Sequence, residues 1–174
     1  MGIGNINVRP RPGERSEGLI NVEGVVFRCA LGRAGISAFK REGDGATPSG
    51  RLRLLGGYIR VERHPPRHSG LRLTPIRADS GWCDAPADAN YNRPVRLPCR
   101  ASHEKMMRED RLYDFCLVLD WNIRPRRRNG GSAIFMHLSR PGFRPTEGCI
   151  AVERRVMLRL LPHLSRRTAI HVHA

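Results

Sequence analysis

Glycine and proline recur along this chain so often that few segments leave room for a long helix. The chain has 18 glycines and 13 prolines among its 174 residues, spread from one end to the other. Both residues favour turns, glycine because it adopts positive φ angles and proline because its φ angle is fixed. A chain divided into such short segments is typical of β structure, and we therefore expect a mainly β fold.

Short apolar runs supply the strands of this expected fold. The strongest is residues 115–119 (FCLVL), a continuous apolar run bounded by polar residues, which is typical of a core strand. The Glu-Gly pair at residues 23–24 separates two β-like runs and predicts a hairpin turn. Helical patterns are confined to residues 102–111 and 156–164. We expect about eight to ten mostly antiparallel strands and two helices.

The length fits a single domain that can bury a core without metal or disulfide staples. Residues 1–17 are polar and rich in proline, glycine and arginine, so we expect a flexible N-terminal arm or an edge strand there. Residues 18–174 then form the folded domain. We expect no integral membrane segment, because no stretch is long and apolar enough to span a bilayer. No signal-peptide pattern is visible either.

The charge of the chain is strongly positive. There are 31 Lys and Arg residues against 16 Asp and Glu residues, which gives a net charge of +15. Such a surface attracts polyanions, and nucleic acid, anionic lipid and an anionic cell-wall polymer all qualify. A basic nucleic-acid-binding protein is therefore one alternative. We do not expect a nucleic-acid partner, because aromatic residues that could stack on single strands make up only 6% of the chain.

The chain has five cysteines, and no two of them form a C-x-x-C pair, so we expect no zinc site. Cys29 and Cys116 lie in apolar strand-like runs and are predicted to be buried core thiols. Cys83 and Cys99 lie in loop-like segments and are candidates for a disulfide in an oxidising compartment. Cys149, which directly follows a glycine, differs from these four because it is the candidate nucleophile.

Cys149 follows His137 by twelve positions. His137 lies near the end of an apolar run, and a loop rich in proline and glycine returns the chain to Gly148. A cysteine nucleophile needs such a partner, because the thiolate reacts and a free thiol is mostly protonated at neutral pH. The backbone amides of Gly148 and Cys149 are candidates for an oxyanion hole. On residue types alone, a buried cysteine and a hydrogen-bonded core histidine remain an alternative.

Three segments resemble the L,D-transpeptidase (YkuD) catalytic domain: residues 40–50 (KREGDGATPSG), 133–138 (AIFMHL) and 146–152 (TEGCIAV). The resemblance covers roughly residues 18–174. It implies a β-sandwich-like fold with a cysteine at the rim of a cleft. It implies neither a metal nor an organic cofactor.

The resemblance also implies a mechanism. Cys149 would attack the carbonyl between the third and fourth residues of a peptidoglycan stem peptide, and His137 would carry the proton from the thiol to the leaving amine. A backbone carbonyl of Leu138 or Ser139 would orient the imidazole. An amine would then resolve the thioester into a cross-link, whereas water would give carboxypeptidase or endopeptidase activity. The implied partner is the anionic stem peptide, and the implied compartment is the periplasm.

Three positions depart from the commonest pattern of the family. Glu147 stands in place of a histidine, Ala151 in place of an arginine and Leu138 in place of a glycine. The substrate preferences of the commonest members therefore do not transfer to this chain. The chain is similar to a compact branch of the family that is associated with cross-links from L-alanine to diaminopimelate, the 1,3 type. A 1,3 cross-link is therefore the finer hypothesis.

Five residues are candidates for binding the stem peptide. Tyr91 and Arg93 suggest a lid, because an aromatic ring and a guanidinium suit a peptide with carboxylates. His103 is either a carboxylate-binding residue or a histidine on a helix surface. Thr146 and Glu147 precede the nucleophile, and we expect the Glu147 carboxylate to point away from the sulfur, because it would otherwise raise the pKa of the thiol. We expect a monomer.

Overall fold

The computed structural model describes residues 2–65 and 68–174, which form fourteen strands and one α-helix. Two short 3-10 turns, at Pro141–Phe143 and Leu161–His163, complete the regular structure. In chain order the elements are β1 (Asn5–Arg11), β2 (Glu14–Val22), β3 (Val25–Ala30), β4 (Ile36–Ser37), β5 (Thr47–Pro48), β6 (Gly50–Ile59), β7 (Leu73–Pro75), β8 (Ser80–Cys83), β9 (Arg93–Arg96), β10 (His103–Lys105), β11 (Phe115–Leu119), β12 (Phe135–Leu138), β13 (Ile150–Val152), α1 (Arg154–Leu160) and β14 (Ala169–Val172).

Nine strands form one sheet in the order β11-β12-β13-β3-β2-β1-β14-β6-β7. Because β11 also pairs with β6, eight of these strands form a closed ring, and β7 joins β6 from outside. All eight ring strands contribute side chains to one apolar core, and α1 adds to it. Closure gives each of the eight ring strands a hydrogen-bonded neighbour on both sides. The expected mainly β fold is confirmed.

The N-terminal segment is an interior part of this ring. β1 pairs antiparallel with β2 on one side and parallel with β14 on the other. The side chains of Ile6 and Val8 are fully buried. Residues 1–17 were expected to form a flexible arm or an edge strand, and the structure differs from that expectation. The alternation of Ile6 and Val8 with Asn5 and Asn7 is a strand pattern that the polar composition of the segment obscures.

The expected helix at residues 102–111 is wrong. The segment contributes β10, which pairs antiparallel with β8 in a three-stranded sheet with β9. Backbone hydrogen bonds extend this pairing at both ends, from the Met106 N–H to the Ser80 carbonyl (3.0 Å) and from the Asp84 N–H to the Ser102 carbonyl (3.2 Å). Helix propensity is a weak tendency that such pairing overrides.

Two local predictions are confirmed. The turn between β2 and β3 consists of Glu23 and Gly24, whose φ angles of 50° and 88° are both positive, as a two-residue hairpin turn requires. α1 buries Val156, Met157 and Leu160 on one face, in line with the helical periodicity of the sequence. No helix in residues 2–65 and 68–174 has the length and hydropathy needed to cross a membrane.

A second apolar cluster lies beside the main core and includes Trp82, Tyr113, Phe135 and Cys149. The cysteines are all free thiols, and Cys29 and Cys116 are buried, as the sequence predicted. Cys83 and Cys99 are likewise free in the structure, and no disulfide joins them.

Candidate active site

Two neighbouring parallel strands bring Cys149 and His137 together. β12 carries His137 near its end, and β13 begins directly after Cys149. His137 pairs with Ala151 in this register, so Cys149 lies two residues before the partner of the histidine. Both side chains line one cleft of about 610 Å³. The loop between the strands thus places a thiol and an imidazole at the same cleft wall.

The Cys149 thiol is buried and hydrogen-bonded to the backbone that precedes β12. Its Sγ donates to the Ala133 carbonyl at 3.2 Å and accepts the Phe135 N–H at 3.3 Å. Burial, and after it the Glu104 carboxylate, raise the pKa of the Cys149 thiol to about 12. The Phe135 N–H and the Lys40 ammonium act in the opposite direction. The thiol is therefore protonated in the free protein.

The His137 imidazole is held in one tautomer. Its Nδ1 lies 2.8 Å from the Leu138 carbonyl oxygen, which only accepts, so Nδ1 carries the hydrogen and Nε2 is the proton acceptor. Burial lowers the pKa of His137 to about 4, although the Leu138 carbonyl acts against this shift. The Tyr113 ring packs edge-on against the imidazole, with 5.2 Å between ring centroids. Of the two carbonyls considered from the sequence, that of Leu138 fixes the ring.

The loop before the nucleophile uses Thr146 as a brace. Thr146 Oγ1 accepts the Gly148 N–H at 3.2 Å and donates to the Cys149 carbonyl at 2.7 Å. The Gly148 amide is therefore occupied, and the sequence-based suggestion that it forms part of an oxyanion hole does not fit this geometry. Within the described residues the Cys149 N–H has no hydrogen-bond partner, so this amide is the available oxyanion donor.

Gly148 is required for a different reason. Its φ angle is 132°, and a Cβ atom placed on it would lie 2.7 Å from the Ala46 carbonyl oxygen. Residues 40–50 therefore pack directly against the nucleophile loop. Asp44 organises this segment by accepting from the Lys40 ammonium (2.6 Å) and from the Arg41 and Ala46 amides (2.6 and 2.9 Å). Burial alone would raise the pKa of Asp44, but these hydrogen bonds lower it.

Glu147 lies at the rim of the cleft. Its side chain is 78% exposed and forms an ion pair with Arg33 at 2.8 Å. Its effect on the pKa of Cys149 is the smallest of the five causes, which fits the expectation that the carboxylate is directed away from the sulfur. Thr146 and Glu147 both line the cleft.

Of the other three candidates for substrate binding, His103 lines the cleft, whereas Tyr91 and Arg93 do not. His103 lines the cleft on β10, with Nδ1 2.8 Å from the Ala101 carbonyl oxygen. Tyr91 is buried, and its hydroxyl donates to the Glu42 carboxylate, so only Glu42 reaches the cleft. Arg93 is exposed on β9, away from the cleft wall. Tyr91 and Arg93 therefore do not form a lid over the nucleophile.

Asn92 lies between Tyr91 and Arg93 in the sequence, and it is the functional residue that sequence reasoning missed. Its side chain is buried, and Oδ1 accepts from Trp82 Nε1 and from the Ala133 N–H, both at 3.0 Å. Nδ2 donates to the Trp121 and Asn122 carbonyls at 3.1 and 2.9 Å. Asn92 thereby fixes the residue whose carbonyl holds the thiol. In the sequence, Asn92 is an amide residue between an aromatic and a charged residue, and this pattern does not show that its side chain is buried.

The remaining cleft wall is polar and highly charged. Lys40, Arg108, Arg140 and Arg144 lie along it with Glu42, Asp84 and Glu104. Within the described residues no group of three or more His, Cys, Asp or Glu side chains has the arrangement of a metal site. The chemistry that this arrangement supports is nucleophilic acyl transfer by a thiol with a neutral histidine as base.

Comparison with known proteins agrees with this geometry. A family model of the L,D-transpeptidase catalytic domain (YkuD) matches residues 19–172, which include both His137 and Cys149. No curated protein and no solved structure gives a significant match. Because the family model covers nearly the whole chain, the protein belongs to the YkuD family of L,D-transpeptidase catalytic domains.

Proposed function

We propose that this protein is a peptidoglycan L,D-transpeptidase in which Cys149 is the nucleophile and His137 the general base. One observation carries the proposal. The hydrogen bond from His137 Nδ1 to the Leu138 carbonyl leaves Nε2 as a proton acceptor in the cleft that also contains the thiol. Membership of a family of peptidoglycan enzymes supports the stem peptide as the substrate.

Acylation begins with a change in the hydrogen bond of the thiol. In the free protein the Cys149 proton is directed to the Ala133 carbonyl. Rotation of the Cys149 side chain about Cα–Cβ moves Sγ from the Ala133 carbonyl to His137 Nε2, which takes the proton, and the thiolate attacks the carbonyl carbon of the stem peptide. The Cys149 N–H donates to the oxyanion, and the imidazolium then gives its proton to the leaving amine. The result is a thioester, a free amine and a neutral histidine.

The Leu138 carbonyl stabilises the imidazolium while it exists. Burial makes a charged His137 unfavourable, and the pKa of about 4 expresses this cost. The charged thiolate–imidazolium pair is therefore confined to the step in which substrate fills the cleft and excludes water.

The finer proposal concerns the bond that is formed. We propose that the acyl donor is the first stem residue, L-alanine, and that the amine of a diaminopimelate residue resolves the thioester. This proposal rests on the three departures from the commonest family pattern. Ala151 lines the cleft without offering a cation, and Arg108, Arg140 and Arg144 supply positive charge from other segments. The corresponding site of action is the periplasm.

The test is incubation of the protein with purified muropeptides, with products identified by mass spectrometry. We expect new dimers, and fragmentation should place the cross-link at L-alanine. Cys149→Ala should abolish all turnover, whereas Cys99→Ala, which removes a thiol outside the cleft, should not. Shortened monomers without dimers would show a hydrolase, and turnover by Cys149→Ala would refute the thiol mechanism.

A further inference from the structure

Two carboxylates in the cleft have oxygen atoms that lack a hydrogen-bond donor. Asp84 follows β8, and its buried Oδ1 has no partner among the described residues. Glu104 lies on the adjacent strand β10 and accepts the Tyr113 hydroxyl at 2.5 Å through Oε1, whereas its Oε2 accepts no hydrogen bond from the described residues. A buried acceptor without a donor, such as Asp84 Oδ1, is costly. In a reaction cleft, such an atom indicates a donor that arrives with the substrate.

The Tyr113 side chain connects Glu104 to the reacting groups. Its hydroxyl holds Glu104, and its ring packs against the His137 imidazole. Asp84, Glu104, His137 and Cys149 line the same cleft. After burial, the Glu104 charge has the largest effect on the pKa of Cys149. A cation bound by Glu104 would therefore lie close to the thioester.

The neighbouring arginine, Arg108, is shared between Glu104 and Asp110. Arg108 Nη1 is 3.6 Å from Glu104 Oε1, but the Arg108 guanidinium donates two hydrogen bonds of 2.8 Å to Asp110. Burial raises the pKa of Glu104, against the effects of the Tyr113 hydroxyl and Arg108. Its carboxylate is thus a better proton acceptor than an ordinary exposed glutamate.

We propose that Asp84 and Glu104 bind the ammonium group of the amine that resolves the thioester, and that Glu104 takes the proton this amine must lose. The inference rests on the proposed transpeptidase function and deepens it. The ligand is an amine of the α-amino-acid type, because the exposed cations Lys105 and Arg140 lie in the same cleft and suit its carboxylate.

The step balances as follows. The ammonium gives one proton to the Glu104 carboxylate, and the neutral amine nitrogen attacks the thioester carbonyl. His137 Nε2 takes the second proton from the nitrogen of the tetrahedral intermediate, the C–S bond breaks, and His137 protonates the departing thiolate. The C–N bond remains as the cross-link, and Glu104 returns its proton to solvent. Hydrolysis needs no ammonium site, so this pair should favour transfer over hydrolysis.

The test measures the ratio of transfer to hydrolysis with two amines of different charge. The acyl-enzyme is formed from a donor muropeptide. One portion is treated with meso-diaminopimelate, which is an ammonium at neutral pH, and a second portion with hydroxylamine, which is uncharged. Glu104→Gln and Asp84→Asn retain shape and remove charge. Glu14→Gln removes one charge from an exposed position on β2, outside the cleft, and serves as the control.

We expect both cleft variants to lower the transfer ratio with diaminopimelate by about tenfold or more. The ratio of transfer to hydrolysis with hydroxylamine should remain within about threefold of the wild type, which also shows that the variants fold. Because both ratios are taken after the acyl-enzyme has formed, a change in the acylation rate caused by removal of the Glu104 charge near the thiol does not enter them. Wild-type ratios with diaminopimelate in both variants would overturn the inference while leaving the transpeptidase intact. Equal loss with both amines would overturn it too, because the carboxylates would then serve the donor or the fold. A wild type that acylates but transfers to neither amine would overturn the transpeptidase function itself.

Discussion

Cys149 and His137 are both uncharged in the free protein, because burial shifts their pKa values in opposite directions. The thiol pKa rises to about 12 and the imidazole pKa falls to about 4. A preformed thiolate–imidazolium pair would react with any electrophile or oxidant that enters the cleft. A neutral pair instead becomes reactive only when substrate alters the surroundings of the thiol.

This arrangement predicts how alkylation of Cys149 depends on pH. A raised pKa means that the thiolate fraction grows about tenfold per pH unit throughout the range from about 6 to 9. We expect the rate of labelling by iodoacetamide, measured on the Cys149 peptide by mass spectrometry, to rise in this way without a plateau. His137→Asn should show the same profile. A plateau below about pH 8 that disappears in His137→Asn would demonstrate an ion pair instead.

Gly148 gives a second prediction at the scale of one residue. In Gly148→Ala the added Cβ would meet the Ala46 carbonyl in a backbone conformation that only glycine adopts readily. We expect the free energy of unfolding, measured by urea denaturation, to fall by about 3 kcal/mol or more. Gly13→Ala is the control, because Gly13 also has positive φ but open space around it, and it should cost about 1–2 kcal/mol. Equal losses would show that the contact with residues 40–50 does not matter.

At the scale of elements, the sequence predicted what local patterns determine. The run at residues 115–119, the hairpin turn at residues 23–24 and the amphipathic α1 are all present. The interior position of β1, expected as a flexible arm or an edge strand, was missed because its second neighbour, β14, lies near the other end of the chain. β10 was missed because its partner, β8, is not part of its own segment. A local window contains no information about such partners.

The active site likewise contains residues that a local pattern predicts and residues whose role depends on distant contacts. Cys149 and His137 were predicted from their spacing and the loop between them. The family resemblance added a carbonyl of Leu138 or Ser139, and the structure selects that of Leu138. The role of Asn92 depends on contacts with Trp82, Trp121 and Ala133, which come from three separate segments. The unpartnered Asp84 oxygen likewise becomes visible only once burial is known.

The Asn92 network predicts the effect of a nearly isosteric change. In Asn92→Asp an oxygen replaces the amide nitrogen that donates to the Trp121 and Asn122 carbonyls. We expect a loss of about 2 kcal/mol or more in stability, because the new carboxylate oxygen faces two carbonyl oxygens. Acylation of Cys149 by a carbapenem should also be slower, because this repulsion displaces the side chain that holds the Ala133 N–H. Asn90→Asp, the same change at an exposed position of the same loop, should alter neither quantity. Full acylation rates in Asn92→Asp would contradict the positioning role.

The charge of the molecule is distributed unevenly between the cleft and the rest of the chain. The cleft is lined by five Lys or Arg residues and four Asp or Glu residues, a difference of one, whereas the chain carries +15. Nearly all of the excess positive charge therefore lies outside the cleft. Such a surface attracts an anionic polymer at long range, while recognition of the stem peptide depends on the nearly balanced cleft.

This separation predicts a salt effect on polymer binding. Binding of the Cys149→Ala variant to purified sacculi, measured by co-sedimentation, should weaken several-fold between about 50 and 300 mM salt, because screening shortens the range of the surface charge. Acylation by a small neutral electrophile should change little over the same range. Salt-independent binding to sacculi together with steeply salt-dependent binding to DNA would favour the nucleic-acid alternative.

The pairing of β1 with β14 determines the order in which this protein can be completed. The first strand of the ring acquires its parallel neighbour only from residues 169–172, near the other end of the sequence. A growing or threading chain therefore cannot close the ring until almost all of it has emerged, and contacts of such long sequence separation form slowly. Until then β1 has only β2 as a neighbour, and the ring that includes β12 and β13 stays open.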